Sequence, residues 1–198
     1  VETPCGDGAM VWHQWPASSD GASASDRPPV VLFHGGSGSW THWVRNIDAL
    51  RAAGRDVWAA DLPGFGDSAR PATGGDADAL IEPLAVGLDM LLARDAPGAD
   101  APALLPCDLV GFSFGGMTAG LLLAAHPQLA QRLVLVGAPA MGVVPQRQVK
   151  LKAWRPLSDP QEQLQVHRHN LAALMLNDPQ QVDRLAPGLH VDNMQSAR

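Results

Sequence analysis

Residues 108–116 of the chain read DLVGFSFGG and combine three features in a fixed order. An apolar run comes first, then a serine between aromatic residues flanked by glycines, and a helical pattern continues to about residue 126. This order predicts a buried strand, a sharp turn at Ser113 and a helix that begins directly after the turn. Small residues are needed there because the backbone and the new helix must approach closely.

Ser113 is the candidate nucleophile. At a strand-to-helix turn its Oγ stands clear of the sheet at the N-terminus of a helix, where the helix dipole favours a developing negative charge. The alternative is a glycine-rich turn that carries the serine incidentally. The order of strand, turn and helix favours the catalytic interpretation.

A second glycine-rich segment, residues 34–39 (HGGSGS), follows the apolar run 30–33. In a dinucleotide-binding fold such a turn would hold a pyrophosphate and Asp61 would hold the ribose, but the expected third glycine is replaced by Thr41. In the other interpretation, the backbone amides of Gly36 and Phe114 converge beside Ser113 as an oxyanion hole. We favour the second because it also accounts for the serine.

Elsewhere, short β-rich runs alternate with helical patterns, which is typical of a mostly parallel sheet covered by helices. Strands are predicted at residues 10–15, 30–33, 57–60, 108–111 and 133–136, the last of them buried. Helices are predicted at 40–53 with Ser39 as the N-cap, at 76–94 and at 115–126. Residues 17–29 and 94–106 are predicted to be surface connections. The fold class is therefore α/β.

The chain changes character after residue 140. No β-rich run follows, and helices are predicted from Ser158 or Asp159, from Asp178 up to Gly188, and again from His190. We therefore divide the chain into a core, residues 1–140, and the start of a helical cap, residues 141–198.

Composition excludes several classes of protein. Hydrophobic residues make up 46% and charged residues 17% of the chain, which is typical of a folded domain. The formal charge of -6 argues against nucleic-acid binding, and no apolar stretch reaches the roughly 18 residues of a membrane span. Two cysteines cannot form a disulfide framework, and no secretory signal is visible, so a cytoplasmic location is expected.

Three motifs in order resemble those of the α/β-hydrolase superfamily: residues 34–36 (HGG), 61–68 (DLPGFGDS) and 111–115 (GFSFG). Within it, the chain is most similar to the capped esterases and carbon–carbon bond hydrolases. The resemblance implies an α/β-hydrolase fold, with Ser113 as nucleophile and the amides of Gly36 and Phe114 as oxyanion donors.

The family also needs a carboxylate and then a histidine, and here the sequence departs from its pattern. One position used for the acid, residues 137–140, reads GAPA and holds no carboxylate. The histidines at 126, 167, 169 and 190 are not expected to serve as the base. An apolar strand at residue 136 would also leave an open sheet edge. We expect that residues 1–198 are part of a longer protein, whose remainder supplies the acid and the histidine.

Three further residues, Phe112, Trp40 and His42, are candidates for binding substrate, although for Trp40 we favour packing on a helix face. No metal or organic cofactor is implied, and the expected partner is a small molecule. The sequence thus predicts a serine hydrolase that acts on an ester or similar carbonyl through an acyl-enzyme. The alternative is a non-catalytic ligand-binding protein, or an inactive fragment, of the same fold.

Overall fold

The computed structural model describes residues 1–18, 27–94, 103–142, 149–176, 178, 180 and 182–196. They form two compact units, Val1–Met141 and Gly142–Ser196. The first contains the sheet and the second is helical. Across the described ranges, no helix combines the length and apolar character needed to cross a membrane.

A six-stranded sheet in the order β1-β2-β4-β3-β7-β8 forms the first unit. The strands of the chain are β1 Glu2–Cys5, β2 Gly8–Trp15, β3 Val30–Phe33, β4 Val57–Ala60, β5 Ala93–Arg94, β6 Ala103–Leu104, β7 Cys107–Phe112 and β8 Ala130–Val136. Strands β4, β3, β7 and β8 are parallel, β1 and β2 are antiparallel to their neighbours, and β5 pairs with β6 separately. The predicted α/β class with a mostly parallel sheet is confirmed.

Helices flank this sheet, and two more form the second unit. They are α1 Ile47–Ala52, α2 Ile81–Leu92, α3 Phe114–Ala125, α4 Pro160–Leu174 and α5 Leu185–Ser196, with 3-10 turns at Trp40–Trp43, Ala77–Leu80 and Pro127–Leu129. The core lies on both faces of β3. Val31 and Phe33 pack with residues of α2 and α3, whereas Val30 and Leu32 pack on the opposite face, which α1 covers. This arrangement explains why β3 is apolar throughout.

The predicted helix over residues 40–53 is interrupted. Ser39 does cap it, accepting a hydrogen bond from the Thr41 amide at 3.2 Å, but only a 3-10 turn follows before α1 begins at Ile47. The carboxylate of Asp61 accepts a hydrogen bond from the Trp40 amide at 2.8 Å and ties this turn to the end of β4. This contact fixes the start of the turn, whose first N–H groups have no acceptor within the turn itself.

The structure also differs from the sequence analysis at both ends of the chain. Strand β1, for which the sequence analysis made no prediction, contains Pro4, which an edge strand tolerates. Gly188 does not end a helix but lies within α5. The Asp183 carboxylate accepts hydrogen bonds from the amides of Leu185 and Ala186, so α5 begins late and Gly188 falls in its first turn.

Strand β8 exists as predicted, but the prediction that it is buried is wrong. Leu133, Val134, Leu135 and Val136 are 37%, 49%, 39% and 43% exposed. In the described part of the chain β8 is the last strand of the sheet and pairs only with β7. It therefore forms the apolar edge that was expected after residue 136.

In the second unit, two histidines lie between α4 and α5. The buried ring of His167 lies 5.0 Å from the Trp154 ring and 5.2 Å from the His190 ring, between ring centroids. Neither Nδ1 has a hydrogen-bond partner among the described residues. Burial lowers the pKa of both imidazoles, and the charge of His167 lowers the pKa of His190 further.

We expect the second unit to lose stability in mild acid. The unfolded chain binds a proton at each of these histidines near the ordinary pKa of about 6.5, whereas the folded unit resists it, so stability falls as the pH drops below that value. Hydrogen exchange of α4 and α5, corrected for intrinsic rates, should show less protection at about pH 5.5 than at about pH 7.5. His167→Phe should weaken this pH dependence, and His169→Phe, on the exposed surface, should preserve it. Equal behaviour of the two variants would contradict the assignment.

Candidate active site

Ser113 occupies the turn between β7 and α3. Its backbone has φ 51° and ψ −117°, a conformation that an L-residue adopts only where its surroundings impose it. The Ser113 amide donates to the Val136 carbonyl at 2.8 Å, and the Ser113 carbonyl accepts from the Gly116 amide at 2.9 Å. Its side chain makes no capping hydrogen bond to α3, so the half-exposed Oγ is available at the N-terminus of this helix.

Close contacts of glycines impose the turn. A Cβ on Gly115 would overlap the His34 carbonyl oxygen and lie 2.6 Å from that of Phe33. A Cβ on Gly111 would lie 2.5 Å from the Gly116 Cα. The first turn of α3 therefore sits directly against β3 and β7, at a distance that side chains would prevent.

The loop after β3 reaches the same place. A Cβ built on Gly35 would lie 3.4 Å from the Ser113 Cβ, and one built on Gly36 would lie 3.8 Å from the Phe114 Cβ. The structure thus brings Ser113, Gly36 and Phe114 together. Within the described part of the chain, the amides of Gly36 and Phe114 donate no hydrogen bond.

His34 sets the orientation of this loop. Its Nδ1 lies 2.7 Å from the Gly35 carbonyl oxygen, and its Nε2 lies 3.0 Å from the Leu62 amide nitrogen. Because a carbonyl only accepts and an amide only donates, Nδ1 carries the proton and Nε2 accepts. In a planar trans peptide the N–H points away from the C=O, so a bond from His34 to the Gly35 carbonyl turns the Gly36 N–H away from His34.

The protonation states of the groups beneath the loop follow from their partners. Burial lowers the pKa of His34 to about 4, against smaller opposing effects of its bond to Gly35 and of the Asp61 charge. Burial acts to raise the pKa of Asp61, but hydrogen bonds from His13 and from the amides of Trp40 and Asp67 outweigh it and lower that pKa. His34 is therefore neutral and Asp61 charged at neutral pH.

The sequence analysis missed the pairing of His13 with Asp61. The His13 Nε2 lies 3.2 Å from the Asp61 Oδ2. The alternation of apolar and polar residues in β2 could have indicated this pairing, because it fits a strand, and His13 lies opposite Ala59 of β4 in the sheet. This pair is not a triad acid and base for Ser113. Three strand spacings separate β2 from β7, which amounts to about 14 Å. The engaged Asp61 carboxylate also argues against the ribose-binding role that was considered for it.

The three predicted substrate-binding residues lie in different surroundings. Phe112 and His42 are half-exposed near Ser113, with ring centroids 5.8 Å apart. Trp40 turns towards β2, where its ring centroid lies 4.9 Å from that of His13 and 5.2 Å from that of Trp15. Substrate binding by these residues stays a prediction.

The fold and the motifs at residues 34–36, 61–68 and 111–115 together define the class of the protein. A family model for the α/β hydrolase fold matches residues 28–189. The chain belongs to this family, as the resemblance in the sequence implied.

Individual relatives show the range of the family. The chain is 37% identical over 113 residues to a 2-hydroxymuconate semialdehyde hydrolase of Pseudomonas sp. (strain CF600), covering 56% of this chain and 36% of that protein. It is 36% identical over 114 residues to the dihydrolipoyllysine-residue acetyltransferase component of an acetoin cleaving system of Pseudomonas putida, covering 58% of this chain and 28% of that protein. The matched region thus spans about a third of the length of these relatives.

A solved esterase from Exiguobacterium antarcticum has the same fold, with a TM-score of 0.62 and 21% sequence identity. The alignment covers 99% of this chain and 71% of the esterase. At this level of identity the likeness concerns the fold alone.

The close packing of Gly115 against the end of β3 can be tested by substitution. We expect Gly115→Ala to destabilise the first unit by about 1–3 kcal/mol, because the new methyl group overlaps backbone atoms of β3 that cannot rotate away. Denaturant unfolding of the two proteins measures the difference. Gly75→Ala is the matched control, since no atom lies within 4 Å of its Cβ position, and equal destabilisation by both variants would contradict the packing argument.

The lowered pKa of the buried His34 can also be tested. Its imidazole should remain neutral down to pH 5 and titrate near pH 4, which NMR of the ring resonances measures directly. The unfolded chain takes up this proton near the ordinary value of about 6.5, so stability should fall as the pH drops from 6.5 towards 4, by up to about 1.4 kcal/mol per pH unit. Titration of His34 near pH 6.5 would show that the ring is not held as described.

Proposed function

We propose that the chain carries the nucleophile and the oxyanion-binding part of a serine hydrolase that acts on an ester or similar carbonyl. The observation that carries the proposal is the juxtaposition of Ser113, with its uncapped side chain and constrained backbone, and two amides without partners in the described residues. Membership of the α/β hydrolase fold family supports it.

In this proposal the Ser113 Oγ attacks the carbonyl carbon of the substrate, and its proton passes to a general base. The electron pair of the carbonyl moves to its oxygen, which the amides of Gly36 and Phe114 stabilise as an oxyanion. Collapse of the tetrahedral intermediate expels the leaving group, which takes up a proton, and leaves an acyl-enzyme. Water then hydrolyses the acyl-enzyme by the same two steps.

The base and its carboxylate partner are proposed to come from polypeptide outside the present sequence. His34 uses both ring nitrogens beneath the loop, and His126 follows α3, about 20 Å from Ser113 by helical rise. The partly exposed apolar side chains of β8 support further strands beside it, because burying their remaining exposed surface is favourable. The greater length of the relatives also supports this assignment.

The proposal includes a small-molecule substrate and a cytoplasmic location. Cys5 and Cys107 are both buried free thiols, and burial raises the pKa of Cys107 to about 12. Unreactive thiols of this kind are compatible with a reducing compartment.

The decisive test uses the full-length protein and a fluorophosphonate probe. We expect one adduct on Ser113 by intact mass and peptide mapping. Ser113→Ala should abolish labelling and lower kcat for an activated ester by roughly 10⁴-fold or more, with an unchanged fold. Ser158→Ala, at an exposed serine of the second unit, is the matched control and should behave as the wild type.

Two results would contradict the proposal. Turnover by Ser113→Ala within tenfold of the wild type would exclude this serine as the nucleophile. Full-length protein that binds small apolar ligands but gives neither an adduct nor turnover would favour the non-catalytic alternative.

A further inference from the structure

His42 lies in the 3-10 turn Trp40–Trp43, yet its ring reaches back to the loop after β3. The Gly35 amide nitrogen lies 3.2 Å from the His42 Nδ1. Because the amide donates this bond, the Nδ1 accepts it, and a neutral His42 carries its proton on Nε2. The bond is made to the residue immediately before the proposed oxyanion donor.

The place of the His42 ring is determined by its neighbours. It makes T-shaped contacts with the Phe112 ring, at 5.8 Å between centroids and 72°, and with the His34 ring, at 6.0 Å and 89°. Gly38 leaves room for it: a Cβ there would overlap the His42 Cε1 and lie 2.6 Å from its Nδ1. Glycine at position 38 is therefore a requirement of the ring position.

Two histidines hold opposite sides of Gly35. His34 binds the Gly35 carbonyl, which belongs to the peptide shared with Gly36, and His42 binds the Gly35 amide, which belongs to the preceding peptide. Glycine has more backbone freedom than any other residue. These two bonds restrain the peptide planes on both sides of Gly35 and so limit both of its dihedrals.

We infer that His42 is a positioning residue that fixes the Gly36 amide for the oxyanion before substrate binds, an inference that rests on the proposed function. It acts through Gly35 rather than on the reacting atoms. Its hydrogen bond also occupies the Gly35 amide, which leaves the Gly36 amide as the donor from this loop. A donor held in advance is worth more to the transition state than one that must rotate into place.

Three substitutions in the full-length protein separate this role from others. In His42→Asn the side-chain oxygen, or Oδ1, takes the place of Nδ1 and restores the acceptor. His42→Leu keeps a similar volume without an acceptor, and His42→Gln moves the acceptor one atom further out. We expect kcat of the Asn variant within about threefold of the wild type, and kcat of the Leu and Gln variants lower by about 10- to 100-fold with KM nearly unchanged.

Two patterns of kinetics would overturn the inference. If the Asn variant loses as much kcat as the Leu variant, the acceptor at Nδ1 is irrelevant. If the variants change KM and substrate preference but not kcat, His42 contacts the substrate instead. Each kcat is calculated from the concentration of folded protein. A variant that is less stable but has an unchanged kcat therefore also counts against the inference.

Hydrogen exchange of the Gly35 amide tests the contact independently of catalysis. We expect this amide to be protected in the wild type and in His42→Asn, and to exchange at least about tenfold faster in His42→Leu. If wild-type protein is not labelled at Ser113, the proposed function fails, and the exchange data alone decide whether His42 holds the loop. Equal exchange in all variants would show that it does not.

Discussion

The approach of helix α3 to the end of strand β3 governs the geometry of the candidate site. Gly115 places the helix backbone so near the carbonyl oxygens of Phe33 and His34 that no Cβ fits between them. Ser113 immediately precedes this helix, and Gly35 immediately follows His34. One steric contact therefore sets the separation of the nucleophile from the loop that carries the proposed oxyanion donor. The parallel register of β3 and β7, in which Phe33 pairs with Gly111, holds the same two segments side by side.

The buried side chains of His34 and Asp61 each have hydrogen-bond partners that suit their charge state. The buried His34 faces one carbonyl and one amide, which a neutral imidazole satisfies completely. A second proton would point an N–H at the Leu62 amide, and burial of the ring disfavours the charged form. Asp61 meets only donors, from His13, Trp40 and Asp67, and keeps its charge although it is buried. The two groups join the ends of β3 and β4 into one support for the loop.

Strand β8 is an apolar strand at an edge of the sheet in the described part of the chain. Its apolar side chains face solvent along most of its length, whereas the equally apolar β3 is buried on both faces. The difference lies in their positions, since β3 has neighbours on both sides, whereas β8 pairs with β7 alone among the described strands. The pattern of residues 133–136 indicated a strand correctly, but burial depends on what lies beside a strand and is not encoded in the strand itself.

The sequence predicts the α/β class, the positions of the main strands along the chain and the strand-to-helix turn. These features follow from local patterns: apolar runs form buried strands, and glycines mark the places where backbones meet. The folded structure was needed to find the pairing of β1 and the hydrogen-bond partners of His13, His34 and His42. Each of these depends on a hydrogen bond or a pairing between segments, and no pattern within one segment specifies which atoms of another will meet it. The same reason applies to the site: Ser113 is visible in its motif, but the orientation of the Gly36 amide is set by side chains on both sides of Gly35 that fold back onto the loop.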